Sequence, residues 1–153
     1  MAEVFTIIGL VGNIVSFVDY AYKAIVATKD AYGSATGLTQ EVAKIDDIVK
    51  GIQQTSRQLL AHPSAIRLSK EELAITNTQA TRCLQLAKEL NGLLDKLRVR
   101  EDAPRAIEIT RVALQWQRKK GHIESLERRL CDLDVQVRAG LTKILLQYGR
   151  HLL

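Results

Sequence analysis

Residues 4–18, Val-Phe-Thr-Ile-Ile-Gly-Leu-Val-Gly-Asn-Ile-Val-Ser-Phe-Val, carry no charge and are bracketed by Glu3 and Asp19. A helix written this way is apolar on every side. After Asp19 the pattern becomes amphipathic, with Tyr22, Ile25 and Val26 spaced for one face, and the whole segment predicts a helix from about Ala2 to Asp30. Breaker and loop residues follow at 32–37, Tyr-Gly-Ser-Ala-Thr-Gly. A second helix is predicted from about Leu38 to Ala61, with Val42, Ile45, Val49, Ile52 and Leu59 on one stripe and Asp46, Asp47, Lys50 and Arg57 off it.

His62-Pro63-Ser64 ends that helix, because proline disfavours helical geometry in the residue before it. Ser69 and Glu72 form a capping box for a third helix, with Leu73, Thr76, Ala80, Cys83, Ala87, Leu90, Leu94 and Leu97 as its stripe and an end near Val99. Pro104 suits the first position of a shorter fourth helix, about Pro104 to Lys119, with Ile109, Ala113 and Trp116 inward. Gly121 should break it. A fifth helix then runs from about His122 to Tyr148 on the stripe Ile123, Leu126, Leu130, Leu133, Val137, Leu141, Ile144 and Tyr148, terminated by Gly149, with His151-Leu152-Leu153 as a frayed end or the cut edge of a longer chain. The expected fold is all-α: one domain over 1–153, an antiparallel bundle of four long helices plus a short additional helix. The first helix is the natural occupant of the groove between the second, third and fifth.

The apolar segment has several readings. No basic residue precedes it and Glu3 stands where a positive region belongs, so it is no secretory signal. Its uncharged length rises about 22 Å, short of the roughly 30 Å of a bilayer core, so it is no permanent span. It is either the central helix of the bundle or a helix stored there and released to membrane on activation. In the second case Val4, Phe5, Ile7, Ile8, Leu10, Val11, Ile14, Val15 and Phe17 are the inserting residues. Gly9, Gly12 and Ser16 would form a close helix–helix seam, since Gly12 and Ser16 have the small-xxx-small spacing.

Charge adds a second feature. The net charge is +5, and residues 103–153, with ten basic and five acidic side chains, hold the whole excess. Its densest points are Arg118-Lys119-Lys120 and Arg128-Arg129, expected to contact anionic lipid or a partner. The same charges also suit a solvated helix face with pairs such as Glu124–Arg128. Cys83 and Cys131, each placed on an apolar stripe, are expected as buried thiols of an intracellular protein.

Catalytic chemistry is not expected. His62, His122 and His151 lack a second ligand at helical spacing, no GxxxxGK[ST] loop exists, and Asp46-Asp47 and Glu71-Glu72 point about 100° apart along their helices. No metal, cofactor or catalytic residue is assigned, and nucleic acid is the weakest of the candidate partners.

The stretches Ile8–Tyr20, Cys83–Leu90 with Leu94–Leu97, and Trp116 leading into Ile123–Leu130 resemble the helical N-terminal domains of fungal NACHT and STAND proteins, which are nucleotide-binding oligomerisation receptors. The resemblance covers nearly the whole chain, in packing patterns and not in a catalytic motif. It implies a HeLo-like, NLR-type effector module followed by a NACHT or STAND switch domain. The implied role is regulated cell death of heterokaryon-incompatibility or innate-immune type, through homo-oligomerisation and the apolar N-terminal helix. The implied location is the cytoplasm, with movement to the plasma membrane on activation. The competing expectation is a protein-interaction adaptor that recruits a downstream effector without touching membrane.

Overall fold

The computed structural model describes residues 2–29, 34–61, 70–97, 100 and 102–152, and within them the side chains of 8–28, 43–58, 74–97, 100, 102–146 and 149. Five helices follow in order: α1 (Ala2–Lys29), α2 (Ser34–Ala61), α3 (Lys70–Leu97), α4 (Arg105–Arg118) and α5 (Lys120–Leu152). No strand occurs among the described residues.

Cross-helix contacts give the directions. Gly51 of α2 lies against Asn13 of α1, and Lys44 sits 5.0 Å from the Tyr20 ring centroid, so α1 and α2 are antiparallel. Arg129 of α5 meets Glu89 of α3 while Gln79 donates to the Gln136 carbonyl at 3.4 Å, so α3 and α5 are antiparallel too. Tyr22 of α1 meets Glu127 of α5 while Val11 lies by Ile144, so α1 and α5 are antiparallel as well and the four long helices alternate in direction. The short α4 packs against α3 and α5 at the end of the bundle where α1 finishes.

The core joins most of the expected stripe positions to the buried side of α1, with Leu86 and Leu93 of α3 added to them. Ile45 and Ile52 of α2 are buried. So are Ala80, Cys83, Ala87, Leu90, Leu94 and Leu97 of α3, and Ile123, Leu126, Leu130, Leu133, Val137 and Ile144 of α5. Asp46, Asp47, Lys50 and Arg57 are exposed. Val42, Leu59, Leu73 and Tyr148 belong to the expected stripes but their side chains lie outside the described set. So do the loop residues Tyr32 and Gly33, the His62-Pro63-Ser64 break, Ser69 with its cap, Asp30, Val99, the Glu72 side chain and the His151-Leu152-Leu153 side chains.

Several boundaries differ from expectation. α2 begins at Ser34, so 34–37 is its first turn and not loop; Ser and Gly are tolerated there, where backbone N–H groups have no intrahelical partner anyway. Pro104 is the N-cap of α4, one position before the expected one, because its ψ of 132° is extended while its carbonyl already accepts from Ile107 and Glu108 at 3.1 Å. Gly121 and Gly149 both lie inside α5. No described glycine has the positive φ by which glycine ends a helix, and the break falls instead at Lys119, with φ −96° and ψ 3°.

The face of α4 is also corrected. Glu108 and Val112 are its buried residues, Ile109 and Trp116 are half-buried, and Ala113 is exposed. An end-lying helix is covered along only a narrow strip, and two apolar faces competed for it. Ile107 and Leu114, on the losing face, stay exposed at 63% and 51%. Glu108 is tolerated in the buried strip because Arg111 Nε donates to its Oε2 at 2.6 Å.

Cys83 is buried as expected, but Cys131 is exposed: it follows Leu130 by one residue, about 100° away from the α5 stripe. Burial pushes the Cys83 thiol up to about 12. In the native protein one thiol per chain is therefore expected to react with an aromatic disulfide reagent, and two in denaturant. Two reactive thiols before unfolding would show that the Cys83 environment is open.

Candidate functional site

α1 is the centre of the bundle, packed against α2, α5 and α3. Leu10, Val11, Ile14, Phe17, Val18, Ala21, Ala24 and Ile25 are buried, and Leu10, Ile14 and Phe17 have no exposed surface at all. Of the residues assigned to membrane insertion, Leu10, Val11, Ile14 and Phe17 are thus core, Ile8 and Val15 are half-buried, and the side chains of Val4, Phe5 and Ile7 lie outside the described set.

Among the described residues nothing covers the opposite face of α1 at its two glycines. Gly9 and Gly12 are exposed, and a Cβ built on either meets nothing within 4 Å. Ser16, next on that face, is half-buried. The glycines therefore serve no close helix approach within the bundle. This face continues through Asp19 and Lys23, whose side chains pair at 3.2 Å, to Val26, which is 60% exposed.

Polar ties hold the C-terminal half of α1. The Tyr22 hydroxyl donates to the Glu127 carbonyl of α5 at 2.8 Å. Burial first, then the nearby Cys131, Glu127 and Asp134, keep that hydroxyl protonated by raising its pKa above the ordinary tyrosine value. Trp116 Nε1 donates at 3.2 Å to Thr28 Oγ1, which in turn donates to the Ile25 carbonyl at 2.6 Å. Lys23 and Lys44 lie 5.1 Å and 5.0 Å from the Tyr20 ring centroid, tying α1 to α2.

The basic residues do not form one patch. Arg118, Lys120 and Arg128 are exposed. Arg129 is bound in a fork to Glu89, with Nη1 to Oε1 at 3.1 Å and Nη2 to Oε2, and its guanidinium holds the Glu89 carboxyl below the usual carboxylate range. It is an α3–α5 strap more than a free contact. Lys119, at the α4–α5 joint, is half-buried and lines an open cavity of about 510 Å³ together with Lys96, Arg100 and Arg111. Sequence reasoning missed the last three. Lys96, Arg100 and Arg111 are dispersed along the chain, and only the docking of α4 on α3 brings them to Lys119.

Among the described residues no group of three or more His, Cys, Asp or Glu side chains is placed to hold a metal ion. One described helix segment, Ile8–Thr28 with 21 residues, is long and apolar enough to cross a membrane. That is longer than the uncharged 4–18 stretch, because the Asp19–Lys23 pair falls inside it.

A helical bundle of this kind has no single diagnostic residue, so its family rests on the whole pattern. The family model for SesA, an N-terminal domain on NACHT NTPases and P-loop NTPases, matches residues 11–134, most of the chain. The chain belongs to the SesA family. No curated protein and no solved structure matches it. A SesA domain is the helical N-terminal part of such proteins and not their NTPase. The matched span includes α1 from Val11 onward, all of α2, α3 and α4, and α5 as far as Asp134.

Proposed function

We propose that this SesA domain is the effector module of an NLR-like receptor. On oligomerisation driven by the NTPase part, it delivers α1 to a membrane and triggers regulated cell death, passing from the cytoplasm to the plasma membrane. One observation carries the reading: the helix at the centre of the core is also the helix with the membrane-compatible composition, and its Gly9–Gly12 face is uncovered. Copies of α1 brought together through that face could pack closely.

Magnitudes restrict how this works. Withdrawing Leu10, Val11, Ile14, Phe17, Val18 and Ile25 from the core forfeits about 1.5–3 kcal/mol each, roughly 10 kcal/mol or more in all. That equals the whole stability of an ordinary domain, about 5–15 kcal/mol. A lone bundle therefore keeps α1 in place, and release needs apolar surroundings that take up the same surface together with several linked copies. Asp19 and Lys23 would each cost about 3 kcal/mol at a bilayer centre, so the uncharged 4–18 stretch inserts and the charged pair stays at the interface.

The full burial of Leu10, Ile14 and Phe17 favours a second reading, in which α1 never leaves and the domain signals by recruiting another protein. A cysteine pair separates the two. A Cβ built at Gly51 lies 3.4 Å from Asn13 Nδ2, so Asn13→Cys with Gly51→Cys in a Cys131→Ser background is the pair with which to staple α1 to α2, its closure checked by thiol titration. Dye release from liposomes containing anionic lipid is expected from the reduced, oligomerised domain and not from the oxidised one. Equal release in both states removes the need for α1 to move, and no release in either supports the adaptor.

A further inference from the structure

The cavity between the end of α3 and the length of α4 has a composition unlike the rest of the surface. Lys96 comes from the last turn of α3, Arg100 from the connection, Arg111 from the middle of α4, and Lys119 from the joint with α5. Among the described residues of the lining these four cations meet one carboxylate, Asp95, and one neutral hydrogen-bonding group, Gln115, while Glu108 behind the wall offsets part of the Arg111 charge. Like charges gathered around open space repel one another, and a bound anion relieves that repulsion.

Part of the site is fixed in advance. Arg111 is anchored through Nε to the buried carboxylate of Glu108 at 2.6 Å and through Nη1 to the Lys96 carbonyl at 3.1 Å. Its planar group is therefore held at the cavity wall, and less side-chain freedom is lost when an anion arrives. Lys119 is half-buried, while Lys96 and Arg100 are exposed and free to fold inward as point charge and fork. The volume of about 510 Å³ suits a small multiply charged ligand.

We infer that this cavity is a binding site for a phosphate-dense anion, either a free polyphosphorylated molecule or the phosphorylated headgroup of a lipid. Phosphate oxygens match the arrangement, because several oxygens on neighbouring phosphates accept from Arg and Lys donors on different elements at once. A single carboxylate or a singly charged lipid satisfies fewer of them. The site does not depend on release of α1, since all its residues lie on α3, α4 and their connections.

The test uses the intact domain and tripolyphosphate as the soluble probe, with calorimetric titration at low salt. Lys96→Glu with Arg100→Glu changes two exposed cavity residues and is expected to weaken binding by at least about tenfold. Lys50→Glu with Arg57→Glu changes net charge equally on exposed positions of α2 outside the cavity lining and should alter it by less than about twofold. Flotation with phosphatidylcholine vesicles carrying a phosphoinositide, compared with phosphatidylserine vesicles of equal charge, identifies the source. Preference for the phosphoinositide that needs Lys96 and Arg100 assigns a headgroup. Tripolyphosphate binding with the same residue dependence but no vesicle preference assigns a free anion. Equal loss in both double variants, or no binding of either probe by the native domain, overturns the site. Thermal unfolding of each variant confirms that a lost signal is not lost folding.

Discussion

Gly12→Glu is expected to leave the bundle folded and abolish release of dye from anionic liposomes. In the bundle the new side chain starts in open space, since a Cβ at this position meets no atom within 4 Å. Glutamate is also a better helix residue than glycine by roughly 0.5 kcal/mol, so thermal stability should hold or rise slightly. In lipid the same change places a charge in the middle of the inserting stretch, at a cost of about 3 kcal/mol per copy. If copies of α1 meet through the Gly12–Ser16 face, the added side chains also collide there. The decisive comparison is Gly12→Ala, which keeps the residue small and should keep release. A Gly12→Glu protein that folds and still permeabilises liposomes would falsify insertion of this face. Deleting the first eighteen residues is a poorer test, because it removes Leu10, Val11, Ile14 and Phe17 from the core and the remaining chain loses its centre.

Phe17→Ala is expected to cost about 3–5 kcal/mol of stability, a large share of what a domain of this size has. Phe17 has no exposed surface and sits on the helix that touches α2, α3 and α5 together, so no single neighbour can move in to close the void. The expected readout is a drop in Tm of roughly 10 °C and a lower denaturant midpoint with unchanged slope. Val26→Ala, on the same helix but 60% exposed, should change stability by no more than about 0.5 kcal/mol. A Phe17→Ala loss as small as that of Val26→Ala would mean that α1 is loosely held, and the energetic barrier to its release would be far lower than its burial implies.

These two positions lie five residues apart on one helix, and sequence alone did not separate them. Both belong to a run in which no charged residue marks an outer face. The stripes of α2, α3 and α5 were legible because charged residues occupy the other sides, and the described stripe positions are buried except Val49 and Leu141, which are half-buried against the core. The α4 face was misread by one position at Ala113, whose neighbour Val112 is buried instead beside Glu108, a charged residue that no apolar stripe marks as inward. Cys131 was misplaced by a single helical position. The basic patch was legible as composition, but its sorting was not: Arg129 is taken by Glu89, and Lys119 joins residues from α3 and the connection.

The order of apolar and charged residues by itself determined that this chain makes four long helices and a short one, that they pack as a bundle, and that the first of them is unlike the rest. Periodicity carries that information because each helix must bury one face, whatever it packs against. Only the tertiary structure decided which side of α1 is core and which lies open, and which cations converge on one cavity. Those facts depend on where the other helices stand around each side chain, and no spacing within a single helix records it.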